Sequence, residues 1–261
     1  MNPNWIGVIA SILSLVGFVV AYRFAEQLQS KNKVCMGVLA CVLALPGASF
    51  AVYYAHVLPE TAWYYQFRSL RNTEWLVVLI GLAGGVMASI LPRFLLTVPL
   101  LGVVGLSVAP FVKPFLGPLG DGALVDRWEE GICKQSTGST CGAASVATIL
   151  RSFGAEMTER DLAVAAHSYA GGTEAWYLAR AVRERGFKAR FQFADGFEPG
   201  MTFPAVVGVR WGTIGHFIPI MGKHGNQFVI GDPTVGRETL SSDALHERYE
   251  FTGFYMVIDE G

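Results

Sequence analysis

Four long apolar runs in the first 112 residues constrain the fold more than any other feature of this sequence. All four are uncharged, and they cover residues 5–22, 34–55, 75–91 and 94–112. An α-helix needs about 20 apolar residues to cross the hydrocarbon core of a bilayer. Beyond residue 127 the chain has the mixed composition of a globular domain. The sequence therefore predicts a membrane region of about four transmembrane helices followed by a soluble domain.

The pattern predicts the boundaries of these parts as a transmembrane helical region at 1–112, a linker rich in Pro and Gly at 113–127, and a soluble domain at 128–261. Neither Lys nor Arg precedes the first run, and no clear small-residue cleavage site follows it. We therefore interpret it as a retained span rather than a signal peptide. The last two runs, separated by Pro92 and Arg93, are expected to form a hairpin of two spans. Their glycines and prolines leave a re-entrant pair or one kinked element as the alternative.

The connecting segments bear on how the chain is inserted. Aromatic residues cluster at the ends of the second and third runs and between them, and they predict a belt at a membrane–water boundary. They are Tyr53, Tyr54, Trp63, Tyr64, Tyr65 and Trp75. The neighbouring arginines are expected to lie in solvent. Arg23, Lys31 and Lys33 favour a cytoplasmic first loop, which with four spans places the soluble domain outside the cytoplasm. Arg68 and Arg71 favour the opposite orientation, and three spans would also reverse it.

The strongest chemical signal is Gln135-Ser-Thr-Gly-Ser-Thr-Cys141-Gly-Ala-Ala, which opens a run of apolar residues with helical spacing. Thr140 is placed to cap this helix, so that Cys141 falls in its first turn. The backbone N–H groups and the helix dipole favour an anion there, and the thiolate is the nucleophilic form of cysteine. The alternative is a structural cysteine, because free cysteine is among the most buried residue types.

The remaining pattern predicts an α+β domain. Two more helices are expected, one after an N-cap at Thr158 and one capped by Thr173 and ended by Gly186. Then come short apolar or alternating runs separated by turn residues: 188–193, 205–210, 216–221, 227–231, 253–258. A short helix is expected at 242–249, before the last strand. Helices followed by strands indicate an antiparallel sheet packed on a helical layer.

Two residues of the strand half fit a nucleophilic cysteine. His216 lies in a predicted strand beside Gly215, and Asp232 ends another, where Pro233 fixes a turn that lets the carboxylate face a neighbouring strand. Taken singly, each is explained as well by strand packing or turn chemistry. Together they allow nucleophilic acyl transfer, in which Cys141 attacks a carbonyl, His216 takes and returns the proton, and Asp232 orients the imidazole.

The soluble half resembles the C39 peptidases, papain-like cysteine proteases known as the leader-removing domains of bacteriocin-exporting ABC transporters. The resemblance covers roughly 131–258 and lies in Gln-x5-Cys-Gly-Ala-Ala, in Gly-His-Phe-Ile on one strand and in Asp-Pro after another. It implies that Cys141 is the nucleophile, His216 the base and Asp232 the orienting acid. Gln135 would lie in the oxyanion hole, beside a backbone N–H of the helix start.

The sequence departs from the family at Thr140, where the family usually has an acidic residue. It also lacks the Gly-x4-Gly-Lys-Ser/Thr phosphate loop of the transporters, so no ATP binding is expected. Net charge is near zero without a basic block, which argues against nucleic acid as a partner. The chemistry requires neither a metal nor a cofactor. The expected partners are a peptide or protein substrate and the lipid bilayer.

We therefore expect a transmembrane α-helical region followed by an α+β papain-like peptidase domain, anchored in the bacterial inner membrane and facing its extracytoplasmic side. It would hydrolyse a peptide bond, for instance in leader or propeptide processing. Two alternatives stay open: a catalytically silent leader-binding module, or a cysteine transpeptidase or amidase on the same fold. Pairing of Cys133 with Cys141 in an oxidising compartment is a further hypothesis, since it would silence the nucleophile. The substrate, its cleavage motif and the oligomeric state stay open.

Overall fold

A computed structural model of the chain describes residues 3–56, 59–120 and 122–261. Of the remaining positions, 1–2 fall in the predicted membrane region, 57–58 in the loop between the second and third apolar runs, and 121 in the predicted linker. They lie outside the described residues.

The chain divides into two compact units. The helical unit comprises Pro3–Pro59 and Asn72–Leu116, and the second unit comprises Glu60–Arg71 together with Gly117–Gly261. The second unit therefore includes a segment from the loop between the second and third apolar runs. We call Glu60–Arg71 the arm.

The helical unit contains four segments long and apolar enough to cross a membrane, as the sequence predicts. The first two are α1 (Trp5–Glu26) and α2 (Ser30–Tyr53), and α3 (Ala62–Arg68) then lies in the arm. The last two segments each begin with a 3-10 turn and continue as α4 (Val78–Ile90) and α5 (Thr97–Leu116). The α5 helix thus runs four residues into the predicted linker, because the apolar run continues past its prolines.

Close packing of α1 against α4 depends on glycine. The spacing Gly81-x-x-x-Gly85 is typical of helices whose backbones approach closely. A Cβ atom added at Gly81 would overlap the carbonyl oxygen of Ser14, and one at Gly85 would overlap that of Phe18. Both positions therefore require a residue without a side chain.

The second unit is built on a six-stranded antiparallel sheet, which confirms the predicted α+β class. Its order is β3-β8-β4-β5-β6-β7, with a separate hairpin of β1 and β2. The strands are β1 (Arg127–Glu129), β2 (Ile132–Lys134), β3 (Lys188–Phe193), β4 (Ala205–Trp211), β5 (Ile214–His224), β6 (Gln227–Asp232), β7 (Gly236–Ser241) and β8 (Glu250–Asp259). The sequence does not predict β1, β2 or β7, because the first two have three residues each and the third is a polar edge strand.

Helices α6 (Cys141–Ser152), α7 (Glu159–Ala165), α8 (Ala175–Arg183) and α9 (Ser242–Arg248) complete the unit. Thr158 caps α7 in a full capping box with Asp161, as predicted. The prediction for Thr173 is wrong, because Glu174 is the N-cap of α8. The Thr173 hydroxyl instead hydrogen-bonds the Ser168 hydroxyl at 2.6 Å.

The α6 helix carries the predicted nucleophile into the core. Its first ten residues, 141–150, are all buried, and the Ser145 hydroxyl donates to the carbonyl of Phe217 on β5 at 3.0 Å. The start of α6 and the strand that holds His216 are therefore fixed against each other. This contact sets the frame of the site.

The arm packs within the second unit, and this corrects part of the predicted aromatic belt. Tyr65 is only 5% exposed and Arg68 only 2%. The Tyr65 ring contacts aromatic residues of the globular domain, and the Arg68 guanidinium lies 4.4 Å from the ring centroid of Trp176. Aromatic and basic residues beside apolar runs suit a lipid interface and a protein interface equally, so the sequence pattern could not separate the two.

Candidate active site

The structure joins three of the four predicted site residues in one hydrogen-bonded series. The Nε2 atom of His216 lies 3.1 Å from Oδ1 of Asp232. The Cys141 thiol hydrogen-bonds the same imidazole. Because Nε2 faces the carboxylate, Nδ1 is the ring nitrogen left for the thiol. The arrangement needs α6 for the thiol, β5 for the imidazole and β6 for the carboxylate.

Asp232 is fully buried and is held by several donors. Besides His216, its Oδ1 accepts the backbone N–H of Thr234 at 2.8 Å and the Thr234 hydroxyl, while Oδ2 accepts the Tyr249 hydroxyl at 2.9 Å. Burial by itself raises the pKa of Asp232, but the hydrogen bonds from His216 and Thr234 lower it by more. The net pKa lies well below the usual range, so the group is a carboxylate at neutral pH.

The surroundings of His216 favour the protonated form of its imidazole. Burial lowers its pKa, whereas the hydrogen bonds to Asp232 and Cys141, together with their charges, raise it, with a net value of about 9. At neutral pH the protonated form is therefore favoured. An imidazolium between a carboxylate and a thiol is the arrangement that supports a thiolate nucleophile.

Thr140 occupies the N-cap position predicted for it but does not make the predicted bond. Its hydroxyl accepts from the Thr137 backbone N–H at 3.2 Å and lies 3.1 Å from the Thr137 carbonyl oxygen. Among the described residues, no side chain caps α6. The first backbone N–H groups of the helix are thus left for an anion beside Cys141.

Gln135 is tied to the site through its backbone, whereas its side-chain donor is directed elsewhere. The Gln135 N–H donates to the carbonyl of Pro233 at 3.1 Å, directly after Asp232. The side-chain Nε2 donates to the Thr137 carbonyl at 2.9 Å, and Oε1 is buried without a partner in the described part of the chain. One amide hydrogen therefore remains for an oxyanion, in the loop that leads to Cys141.

A buried acid without a predicted role holds this loop. Glu159 is fully buried at the start of α7 and accepts the backbone N–H of Ser136 at 2.8 Å as well as the Ser136 hydroxyl. Its own N–H donates to Asp126 at 3.1 Å. The sequence signal for Glu159 is weak, because an acidic residue in a first helical turn normally serves the helix dipole.

Two aromatic residues also support the site without a sequence signal. Trp211, at the end of β4, stacks on His216 with 4.8 Å between ring centroids and 20° between planes, and it is 43% exposed. Tyr249 donates to Asp232, and burial followed by the Asp232 charge raises its pKa, so it stays a neutral donor. The first contact depends on the pairing of β4 with β5, and the second joins residues 17 positions apart, so periodicity alone predicts neither of them.

Cys133 is a poor candidate for redox control of Cys141. Both are separate thiols in the described chain. Cys133 is fully buried in β2, and burial, followed by the charge of Glu159, raises its pKa to about 12. A thiol of this kind is seldom ionised, and thiol–disulfide exchange proceeds through the thiolate.

Comparison with known proteins bears on the second unit. The model of the peptidase C39 family matches residues 129–261. An uncharacterized protein of Methanothermobacter marburgensis is 29% identical over 134 residues, and one of Methanothermobacter thermautotrophicus is 30% identical over the same length. Each match covers 50% of this chain and 89% of the relative.

Among solved structures, the peptidase domain of Streptococcus ComA, a bi-functional ABC transporter of a quorum sensing pathway, is 26% identical. The match covers 49% of this chain and 96% of that domain, with a TM-score of 0.43. A double glycine motif protease from an AMS/PCAT transporter, solved with its leader peptide, is 21% identical, with coverages of 53% and 91% and a TM-score of 0.41. The family model spans Cys141, His216 and Asp232 and about half of the chain, and the chain therefore belongs to the peptidase C39 family.

Proposed function

We propose that this protein is a membrane-anchored cysteine peptidase that hydrolyses a peptide bond in a peptide or protein substrate. One observation carries the proposal: the hydrogen-bonded series of Cys141, His216 and Asp232 at the uncapped start of a buried helix. The pKa of Asp232 is lowered and the pKa of His216 is raised, so the acid serves as a carboxylate and the imidazole as a proton donor. Membership of the C39 family supports the same chemistry.

The series assigns each step of acyl transfer to a residue. The Cys141 thiolate attacks the carbonyl carbon, and the negative charge moves to the carbonyl oxygen. His216 then gives its Nδ1 proton to the leaving amine, which departs as the thioester forms. In the second half, His216 takes a proton from water, whose oxygen attacks the thioester and releases Cys141. Asp232 keeps the imidazole oriented and stabilises its charged form throughout.

The oxyanion needs donors that are in place before the reaction. The backbone N–H groups at the start of α6 lie beside the nucleophile, because Thr140 turns to Thr137 instead of capping them. The second hydrogen of the Gln135 amide is the other candidate. Glu159 supports both, since it fixes Ser136 within the connecting loop.

Membrane anchoring is the second part of the proposal, and the arm bears on its topology. The arm and residues 117–261 form one unit, so they lie on the same side of any bilayer. The chain between them must then cross an even number of times. The two apolar segments Thr73–Ile90 and Arg93–Leu116 meet this requirement as a hairpin of two spans. If these two segments crossed only once between them, which would make three spans in total, the arm would be separated from the domain with which it packs.

Thiol labelling of the full-length protein in detergent tests the nucleophile. A Cys35→Ala/Cys41→Ala background removes the two exposed cysteines and leaves Cys133, which is fully buried, and Cys141, which is 9% exposed. We expect a peptidyl electrophile to label this protein on Cys141 much faster than it labels free cysteine. His216→Ala should slow the labelling by about tenfold or more, because the imidazolium that supports the thiolate is lost. Labelling at the rate of an ordinary thiol would contradict the peptidase and favour the silent binding module.

The reaction type is tested with a peptide library in 18O-water. Hydrolysis places one 18O atom in the new carboxyl terminus, whereas transpeptidation joins that carbonyl to an amine acceptor without it. We expect the 18O product, read by mass spectrometry. Products that contain an acceptor amine would show that the thioester reacts by transpeptidation instead of hydrolysis.

The charge of His216 predicts an upper pH limit for cleavage. Its folded pKa of about 9 lies above the usual value near 6.5. The protonated imidazole therefore contributes stability that is complete below about pH 6.5 and is lost as pH rises through about 9. Because His216 must donate a proton to the leaving amine, we expect the cleavage rate to fall with a midpoint near pH 9. A rate that stays level to pH 10.5 would exclude His216 as the acid.

A further inference from the structure

The arm inserts one tyrosine into a group of aromatic side chains on the second unit. The ring centroid of Tyr65 lies between 5.3 and 5.6 Å from those of Trp176, Phe191, Phe193 and Phe254. These separations fall within the range of favourable aromatic pairs. We call these five residues, together with Phe217, the aromatic cluster. Tyr65 is its contribution from the arm.

Polar contacts hold the arm in this place. The Arg68 guanidinium lies over the ring of Trp176, and Arg180 of α8 donates to the Arg68 carbonyl at 2.7 Å. Arg183, one turn further along α8, donates to the Ser69 hydroxyl at 2.6 Å and to its carbonyl at 3.2 Å. Charged donors on buried carbonyls make stronger bonds than neutral ones. The arm is thus fastened to the helix that lines one side of the aromatic cluster.

The opposite end of the aromatic cluster reaches the catalytic residues. Phe254 contacts Phe217 with 5.3 Å between ring centroids, and Phe217 directly follows His216 on β5. A Cβ atom added at Gly142 would lie 3.2 Å from Cδ2 of Phe217, so this ring lies against the backbone that follows Cys141. The Phe217 side chain therefore packs between the strand of the base and the start of the helix that carries the nucleophile.

We infer that the arm is a positioning element for the active site and that Tyr65 acts through Phe254 and Phe217 on the geometry of Cys141 and His216. The inference rests on the proposed peptidase function. With Tyr65 in place, Phe254 has an aromatic neighbour on its arm side and holds Phe217 against Gly142. Without it, the buried rings repack toward the vacated space, and the start of α6 loses its packing against the Phe217 ring while the hydrogen bond from Ser145 to the Phe217 carbonyl remains.

The inference gives the arm a role beyond joining two spans. The arm is continuous in sequence with α2 on one side and with the segment that becomes α4 on the other. Peptidase activity would then depend on residues that lie in the sequence between two membrane helices. Residues 128–261, which the sequence pattern predicts as the soluble domain, would lack one member of their own aromatic cluster.

The test uses the full-length protein in detergent, in the Cys35→Ala/Cys41→Ala background, with iodoacetamide as the probe of Cys141. Tyr65→Ala should slow alkylation of the folded protein by about tenfold, since small displacements of reacting groups carry large rate penalties. The pH profile of its alkylation should differ from that of the wild type. Tyr65→Phe keeps the ring and should restore the wild-type rate and profile. Tyr65→Leu, which keeps apolar volume without the ring, should fall between them.

Phe187→Ala is the control for a general loss of packing, because its ring stacks on Phe153 at the end of α6 opposite Cys141. It should lower the Tm and leave the alkylation rate unchanged. If Tyr65→Ala and Tyr65→Leu lower the Tm but react like wild type, or react faster, the positioning role is wrong. Slow, unactivated labelling of the wild type itself would instead overturn the peptidase proposal on which the inference rests.

Discussion

Replacing Cys141 with Ala should abolish cleavage, with a loss of about 10⁴-fold or more, because removal of a nucleophile leaves only binding and oxyanion stabilisation. Cys141→Ser should be nearly as inactive. The serine hydroxyl fits the space of the thiol, but an alcohol beside an imidazolium is not ionised at neutral pH and is a poor nucleophile. The measurement is the initial rate of cleavage of a peptide that the wild-type protein hydrolyses, followed by mass spectrometry.

The Cys141 variants need a control for folding and one for the choice of cysteine. Thermal unfolding should place Cys141→Ser close to the wild type, since the substitution changes one atom at the start of a packed helix. Cys35→Ala/Cys41→Ala should cleave at the wild-type rate, because both residues lie in the helical unit. Residual activity above about one hundredth of wild type in Cys141→Ala would contradict a covalent mechanism.

Local sequence patterns predict the elements of this fold well where one face is apolar. The capping box at Thr158 marks a helix start, and the continuous apolar runs of β4 and β8 mark buried strands. The edge strand β7 escapes prediction, because Gly-Arg-Glu-Thr-Leu-Ser lacks an apolar face and is stabilised by its register with β6. Its existence depends on a partner strand, and a local pattern does not contain that information.

The residues of the candidate site likewise include some that a local sequence pattern predicts and some that it does not. Cys141, His216 and Asp232 each lie beside a local signal: a helix start, a glycine in a strand, and a proline after a strand. Trp211 and Glu159 lack such a signal, because the stacking of Trp211 on His216 depends on the pairing of β4 with β5, and Glu159 binds Ser136, which lies 23 positions before it. For Gln135, the spacing to Cys141 predicts its place in the loop but does not predict the direction of its side chain, whose amide donates to the Thr137 carbonyl.

The arm was the least predictable part of the chain. Tyr65 and Arg68 lie between apolar runs, where the membrane interface explains aromatic and basic residues without any further structure. Their partners Trp176 and Phe254 are more than one hundred positions away in sequence. Arg68 can be buried because its guanidinium lies over the ring of Trp176 and its carbonyl accepts from Arg180 of α8, and both contacts exist only in the folded chain.

The second large effect is expected at Asp232. Asp232→Ala should reduce the cleavage rate on the order of 10³-fold, as for removal of an orienting acid. It leaves the donors of His216, Thr234 and Tyr249 buried without their acceptor and should also lower the free energy of unfolding by about 3–5 kcal/mol. Urea unfolding measures that loss, and Tyr249→Phe, which removes only the bond to Oδ2, should cost a few-fold in rate.

Asp232→Asn separates orientation from charge. The Thr234 N–H is a fixed donor 2.8 Å from Oδ1, so an amide oxygen should take that position and still accept the His216 Nε2–H. The imidazole then keeps Nδ1 toward Cys141 but loses its countercharge, which lowers the pKa of His216. We expect a loss on the order of tenfold, with the upper limit of the pH profile moved below 9. Equal losses for Asn and Ala would show that the charge itself, rather than the hydrogen bond, holds the catalytic imidazole.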